Sequence, residues 1–211
     1  MWRGHRILCG DMLLTHRSFS RYSFLSQEPN VLNLDLEFPL DSSISYLNHA
    51  AVAPWPARTA AAVTEFAAEN VSQGATEYPK WLQKERLLRS QLVSLLNAEH
   101  EGTIALVKNT SEALSFVAHG LSWQSGDNIV ISNQEFPSNR IVWESLARYG
   151  VEVIEVDIRE HAEQSILEVC NDRTRLISIS SVQYATGLKL NLKTIGQYCR
   201  ANQILFCVDA I

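Results

Sequence analysis

Residues 126–156 read GDNIVISNQEFPSNRIVWESLARYGVEVIEV, and the fold class follows from how this stretch changes its period. Gly126-Asp127 makes a turn. Asn128–Ser132 is apolar almost without interruption, the pattern of a strand covered on both faces. Pro137 fits the first turn of a helix, and Ser138–Tyr149 continues with helical spacing until Gly150 closes it. At Val151–Val156 the chain returns to a strand pattern. Strand, helix and strand in succession make one βαβ unit, whose crossover requires parallel strands.

The same alternation runs outward on both sides. Upstream, Thr103–Val107 predicts a strand and Ser111–Leu121 a helix. Downstream come a weaker helix over Ala162–Cys170, a strand over Arg175–Val182, a helix over Leu192–Asn202 and a strand over Ile204–Asp209. Repeated βαβ units predict an α/β fold, a three-layer sandwich with a mostly parallel sheet and helices on both faces. Two helices precede these units. One runs from Pro56 to Asn70 and ends near Gly74; the other spans Tyr78–Asn97, with an apolar stripe of Trp81, Leu82, Leu88, Leu92, Leu95 and Leu96. An irregular stretch to about Pro54 comes before them. Three segments follow from this: an N-terminal extension over 1–40, an arm with helices over 41–100, and part of a larger domain over 101–211.

Composition narrows the function. With 18 basic and 23 acidic side chains the formal charge is −5, and no Lys/Arg block offers the electrostatic footprint of a nucleic-acid binder. The longest apolar runs, such as Ile204–Val208, are strand-sized and too short for a membrane span. Cys9, Cys170, Cys199 and Cys207 are scattered, without the clustered spacing of a disulfide or zinc framework, so no metal site is expected and the thiols read as reduced. Residues 1–27 carry Arg3, Arg6, Arg17 and Arg21, several serines and one acid, Asp11. That is transit-peptide composition, although no clear amphipathic helix accompanies it. The expected location is cytoplasmic, with an organellar, mitochondrial, alternative.

Ligands of such sheets bind beyond the carboxyl ends of the strands, and several predicted strand ends carry polar or aromatic residues. Lys108-Asn109-Thr110-Ser111-Glu112 has the spacing of a capping box, and a helix start with two hydroxyls can cradle a phosphate. In Gln134-Glu135-Phe136-Pro137, Phe136 offers either a ring to stack on a planar heterocycle or a hydrophobic staple over the helix start. Ser180-Ser181-Val182-Gln183-Tyr184-Ala185-Thr186-Gly187 ends in a tight turn that brings Gln183, Tyr184 and Thr186 to one edge. Asp209 closes an apolar strand, where a carboxylate needs a partner such as a protonated ring nitrogen, a metal or an arginine, or else caps a following helix.

Taken together and in this order, these segments resemble the class V aminotransferases, a branch of the fold-type-I pyridoxal-phosphate enzymes that includes cysteine desulfurases. The resemblance extends from about Tyr46 to the last residue. Tyr46-Leu47-Asn48-His49-Ala50-Ala51 is similar to the family's opening motif, which places Asn48, His49 and Ala50 on the substrate side. Asn109-Thr110-Ser111-Glu112-Ala113 is similar to its phosphate-binding motif, with Thr110 and Ser111 as ligands of the phosphate. Phe136 falls at the ring-stacking aromatic, often a histidine, and Asp209 at the aspartate that pairs with the pyridine nitrogen. Gln183 or Tyr184 stands where an asparagine usually meets the ring hydroxyl.

The resemblance implies a pyridoxal 5'-phosphate cofactor, a small amino-acid-like substrate and a homodimer for the complete protein. Phe136 cannot carry a proton as a desulfurase histidine does, which favours a transaminase, lyase or epimerase type of activity over a cysteine desulfurase. Lys108, Lys189 and Lys193 do not match the family's lysine motif. The Schiff-base lysine is therefore expected beyond Ile211, and the chain is read as an N-terminal fragment, truncated within its large domain and inactive alone. Two other readings stand beside this one: a non-catalytic interaction module, and an unrelated nucleotide-binding domain. Neither Gly-x-Gly-x-x-Gly nor a Walker lysine motif supports the latter.

Overall fold

The computed structural model describes residues 33–211, so the arginine-rich stretch 1–27 and Cys9 lie outside the described residues. These fall into two compact units divided between Ile104 and Ala105.

The first unit contains α1 (Leu34–Glu37), α2 (Ala57–Gln73) and α3 (Tyr78–Leu96). The short α1 lies in a stretch expected to be irregular. Asn33 starts it by accepting the amides of Asp35 and Leu36 through its side chain. Arg58 ties α2 to α1 with a two-pronged pair to Glu37, at 2.7 and 2.8 Å. Trp81 links α3 to α2: its indole N–H donates to Glu69 at 2.9 Å, and Phe66 and Tyr78 meet its ring edge-on. None of the three helices contains a buried residue.

The expected strand at Thr103–Val107 is not formed. Glu101–Thr103 is a 3-10 turn, and Ile104 is extended with φ −100° and ψ 119°, but no described strand pairs with it. Apolar, β-branched composition favours extended backbone, whereas a strand also needs a neighbour to complete its ladder.

The second unit is the alternating α/β layer. It holds α4 (Thr110–Gly120), β1 (Asn128–Ser132), α5 (Ser138–Glu144), β2 (Glu152–Val156), α6 (Ala162–Glu168), β3 (Thr174–Ser180), α7 (Leu192–Ala201) and β4 (Leu205–Asp209). The strands are parallel throughout and lie in the order β2-β1-β3-β4. Alternate residues face opposite sides. Ile129, Ile131 and Leu176 join Leu114, Ala118, Trp143 and Leu146 beneath α4 and α5. Val130, Ile177 and Ile179 join Ile166, Ile195 and Cys199 beneath α6 and α7. Every residue of β1 is buried, as its unbroken apolar run predicts.

The connections explain why helices cover both faces. From β1 the chain moves outward to β2 through α5; it then crosses back over β1 to β3 through α6 and continues in the same direction to β4 through α7. Crossovers of a single hand that run in opposite directions must lie on opposite faces. The strand order therefore reverses between β1 and β3, and the crevice at their carboxyl ends is where a sheet of this kind binds its ligand.

Candidate functional site

The carboxyl ends of β1 and β3 are joined by a buried polar network centred on Glu135, which is 6% exposed. One carboxylate oxygen accepts the Ser132 hydroxyl at 2.8 Å, the Ser180 amide at 3.1 Å and the Gln183 side-chain amide at 3.1 Å. The other accepts Asn139 Nδ2 at 2.9 Å and the Ser180 hydroxyl at 2.6 Å. Asn139 Oδ1 in turn accepts the Ser178 hydroxyl at 2.6 Å and the Trp143 indole N–H at 3.0 Å. All these donors are neutral dipoles, and a buried carboxylate is tolerable only when such donors satisfy it.

Above this network sits an aromatic pair. Phe136 and Tyr184 meet edge-on with centroids 5.2 Å apart and planes at 90°. They are 49% and 66% exposed. The loop carrying Tyr184 is short and tightly closed: Gly187 N–H bonds Gln183 O at 2.8 Å, Gln183 N–H bonds Leu188 O at 2.9 Å, and Val182 bridges Lys189. Gly187 has φ 71°, a conformation open to glycine without strain.

Sequence reading left Gln183 and Tyr184 as alternatives for one role, and the structure gives them different surroundings. Gln183 is 1% exposed, with its amide held by Glu135 and Ser132 and its Oε1 buried without a partner among the described residues. Tyr184 is the member of the pair that solvent reaches.

Asp209 ends β4 opposite Ser180 of β3, and its carbonyl accepts the Ser181 amide at 2.8 Å. Its carboxylate is partly exposed and receives the Ile211 amide at 3.2 Å. Phe136, Tyr184 and Asp209 thus lie along the carboxyl edge of three adjacent strands.

Thr110 and Ser111 form the first turn of α4. Asn109 caps the helix by accepting the Glu112 amide at 2.9 Å, and the Glu112 carboxylate reaches back to the Lys108 amide at 2.8 Å. With Asn109 and Glu112 so engaged, the Thr110 and Ser111 amides remain at the positive end of the helix, where an anion is favoured. No hydrogen bond joins these two residues to Phe136, Tyr184 or Asp209. Asn48, His49 and Ala50 belong to the first unit, where Tyr46 packs edge-on against His49 at 5.3 Å. Lys108, Lys189 and Lys193 are exposed. Burial pushes the Cys170 thiol up to about 11, leaving it protonated and unreactive near neutrality. Among the described residues no group of His, Cys, Asp and Glu gathers to hold a metal.

The strand edge offers a ring-stacking surface and a carboxylate able to face a cation. The helix start in the same unit offers amides and hydroxyls able to face an anion. Sequence reading missed the Glu135 network beneath them. Its local signals were Ser132 three residues before Glu135 and Asn139 four after, together with the serines alternating through the buried strand at 178 and 180.

Comparison with known proteins gives a consistent picture. A family model described as aminotransferase class-V matches residues 45–211. A protein of Methanothermobacter thermautotrophicus named "Probable cysteine desulfurase" is 32% identical over 181 residues, 82% of this chain and 45% of that protein. An uncharacterized aminotransferase of Schizosaccharomyces pombe is 32% identical over 134 residues, 62% of this chain and 34% of that protein. The chain thus spans less than half the length of either relative. Among solved structures, the cystine C-S lyase C-DES in complex with cysteine persulfide has a TM-score of 0.72 at 23% identity, covering 81% of this chain and 47% of that one. The cysteine desulfurase CsdA of Escherichia coli has a TM-score of 0.70 at 23% identity, covering 83% and 47%. These two likenesses establish the fold.

Proposed function

The chain belongs to the class V aminotransferase family, and from that premise we propose that its strand edge holds pyridoxal 5'-phosphate for chemistry on a small amino-acid-like substrate. The observation carrying this reading is the Phe136–Tyr184 pair at the reversal of strand order, with Asp209 on the neighbouring strand end.

The residues present fit the group. Thr110 and Ser111 supply hydroxyls and helix-start amides to a phosphate, which are neutral donors aligned with the helix dipole. Phe136 presents a half-exposed ring to a flat heterocycle. Asp209 keeps a carboxylate partly open, and a negative charge there holds a proton on a ring nitrogen. When bound, the cofactor supplies an electron sink for bonds at the substrate α-carbon. The share of this chain is to bind and orient it. Phe136 excludes water from one ring face but has no atom that carries a proton. Tyr184, exposed beside it, is assigned to the ring's hydroxyl edge, and Gln183 to support beneath. Asn48, His49 and Ala50 are assigned to the substrate side, and the exposed lysines 108, 189 and 193 receive no covalent role.

For the whole protein, the activity proposed is of transaminase, lyase or epimerase type, in a homodimer. A cysteine desulfurase is the second reading, favoured by the name of the Methanothermobacter relative and opposed by Phe136. Alanine formation from cysteine separates the two, since a desulfurase converts cysteine to alanine and keeps the sulfur as a persulfide: the first reading expects no alanine above background, and turnover would transfer the assignment to the second.

Cofactor binding is tested with 4'-deoxypyridoxine 5'-phosphate, which lacks the aldehyde and so cannot react with surface lysines. Equilibrium dialysis should show saturable binding, weakened about tenfold or more by Asp209→Ala and by the double change Thr110→Ala, Ser111→Ala, since each removes hydrogen bonds to a charged group. Absence of saturable binding contradicts the proposal.

A further inference from the structure

Glu135 and Gln183 meet in a hydrogen bond of 3.1 Å, and both are almost wholly buried. Each is followed directly by one ring of the exposed pair, Phe136 and Tyr184, whose centroids stand 5.2 Å apart. Two dipeptides from different loops are therefore locked together through their buried halves and present their aromatic halves outward. We propose that the Glu135–Gln183 contact is the positioning device of the Phe136–Tyr184 pair, fixing the ring surface against which a flat heteroaromatic ligand docks. This rests on the reading of the strand edge as a cofactor site.

Two features point to positioning rather than to stability alone. The first is the charge. Among the described residues no lysine, arginine or histidine forms an ion pair with Glu135. Its carboxylate depends entirely on Ser132, Asn139, Ser180 and Gln183, and it must hold all of them in place to remain satisfied. An apolar residue of similar volume would fill the space at lower cost. The charge instead pins the end of β1, the end of β3, the start of α5 and the Tyr184 loop to one point. The second is Gln183 Oε1. Because Glu135 and Ser132 both engage Nε2, the amide has one orientation, and its oxygen is left buried without a partner among the described residues. An orphaned acceptor opposes stability, but the arrangement holds the loop in a single register.

Without such a tie two largely exposed rings on loops would sample many positions, and each would have to be ordered when a ligand binds. A pre-set pair avoids that entropy.

The test compares three variants of the protein with the wild type. Gln183→Met keeps side-chain length and removes the amide with its bonds to Glu135 and Ser132. Glu135→Gln places an amide against donors at Ser180 or Asn139 and disrupts the centre. Ile195→Ala opens a cavity in the cluster under α6 and α7 and serves as the stability control. The dissociation constant for 4'-deoxypyridoxine 5'-phosphate, the near-ultraviolet circular dichroism and the Tm are measured for each. Gln183→Met and Glu135→Gln should bind about tenfold more weakly or worse, with altered aromatic dichroism. Ile195→Ala should lose at least as much Tm and keep wild-type binding. The proposal is overturned if the two network variants bind as wild type, or if all three weaken binding in proportion to the Tm lost. If Glu135→Gln does not fold, Gln183→Met decides. If the wild type itself fails to bind the probe, the cofactor reading falls; the positioning claim then stands on the dichroism, and an unchanged aromatic signal in Gln183→Met overturns it.

Discussion

Cys170 shows how a residue's surroundings set its chemistry. Its Sγ donates to Ile166 O at 3.3 Å, and burial, partly offset by a hydrogen bond with Tyr198, lifts the thiol from 9.0 to about 11. Because the folded value is the higher one, the contribution to stability is complete below 9.0 and is lost as pH rises through about 11. Denaturant midpoints measured across that alkaline window should fall less steeply in Cys170→Ala than in the wild type; equal slopes would remove Cys170 from the alkaline response. Sequence reading took Cys199 and Cys207 as small buried hydrophobes rather than nucleophiles; Cys199 is buried, whereas Cys207, like Cys170, is half-buried. Gln183 was harder to read. Its neighbours in space are Ser132 and Glu135, which lie 51 and 48 residues away along the chain, and no local pattern reports such a distance. The buried glutamine and the exposed tyrosine beside it therefore looked interchangeable.

At the scale of elements, periodicity located β1 to the residue, because its ends are marked by the Gly126-Asp127 turn and the polar residues after Ser132. The start of α4 was legible in the capping pattern of Asn109 and Glu112, whereas Asn191, which caps α7 in the same way, was not read as a cap. The strand expected at Thr103–Val107 does not form because a strand also depends on a partner that its own sequence does not encode. The turn between α5 and β2 gives a direct test of local reading. Gly150 has φ 75°, donates to Ala147 O at 2.9 Å and accepts Gly126 N–H at 2.8 Å. A Cβ there would stand 2.5 Å from Ser125 Oγ and 3.2 Å from Ser125 Cα. Gly150→Ala should therefore destabilise the unit by about 2 kcal/mol, joining left-handed strain to a clash with the Ser125 side chain. Chemical denaturation measures this, and a loss below a few tenths of a kcal/mol would mean that the turn yields freely.

For the whole molecule, alternating periods predicted the α/β class and the parallel sheet, but not the order β2-β1-β3-β4. That order is what places the loops after β1 and β3 side by side and gathers along one edge residues that sequence reading could only group by resemblance. The match over residues 45–211 fixes the family, and the sheet supplies the physical reason why Phe136, Tyr184 and Asp209 share an edge. The most direct test is a crystal structure of the protein grown or soaked with 4'-deoxypyridoxine 5'-phosphate. The ring should lie against Phe136 with its nitrogen at Asp209, and the phosphate should lie at the amides of Thr110 and Ser111. Density for the ligand elsewhere, or a strand edge left empty at saturating concentration, would contradict the assignment.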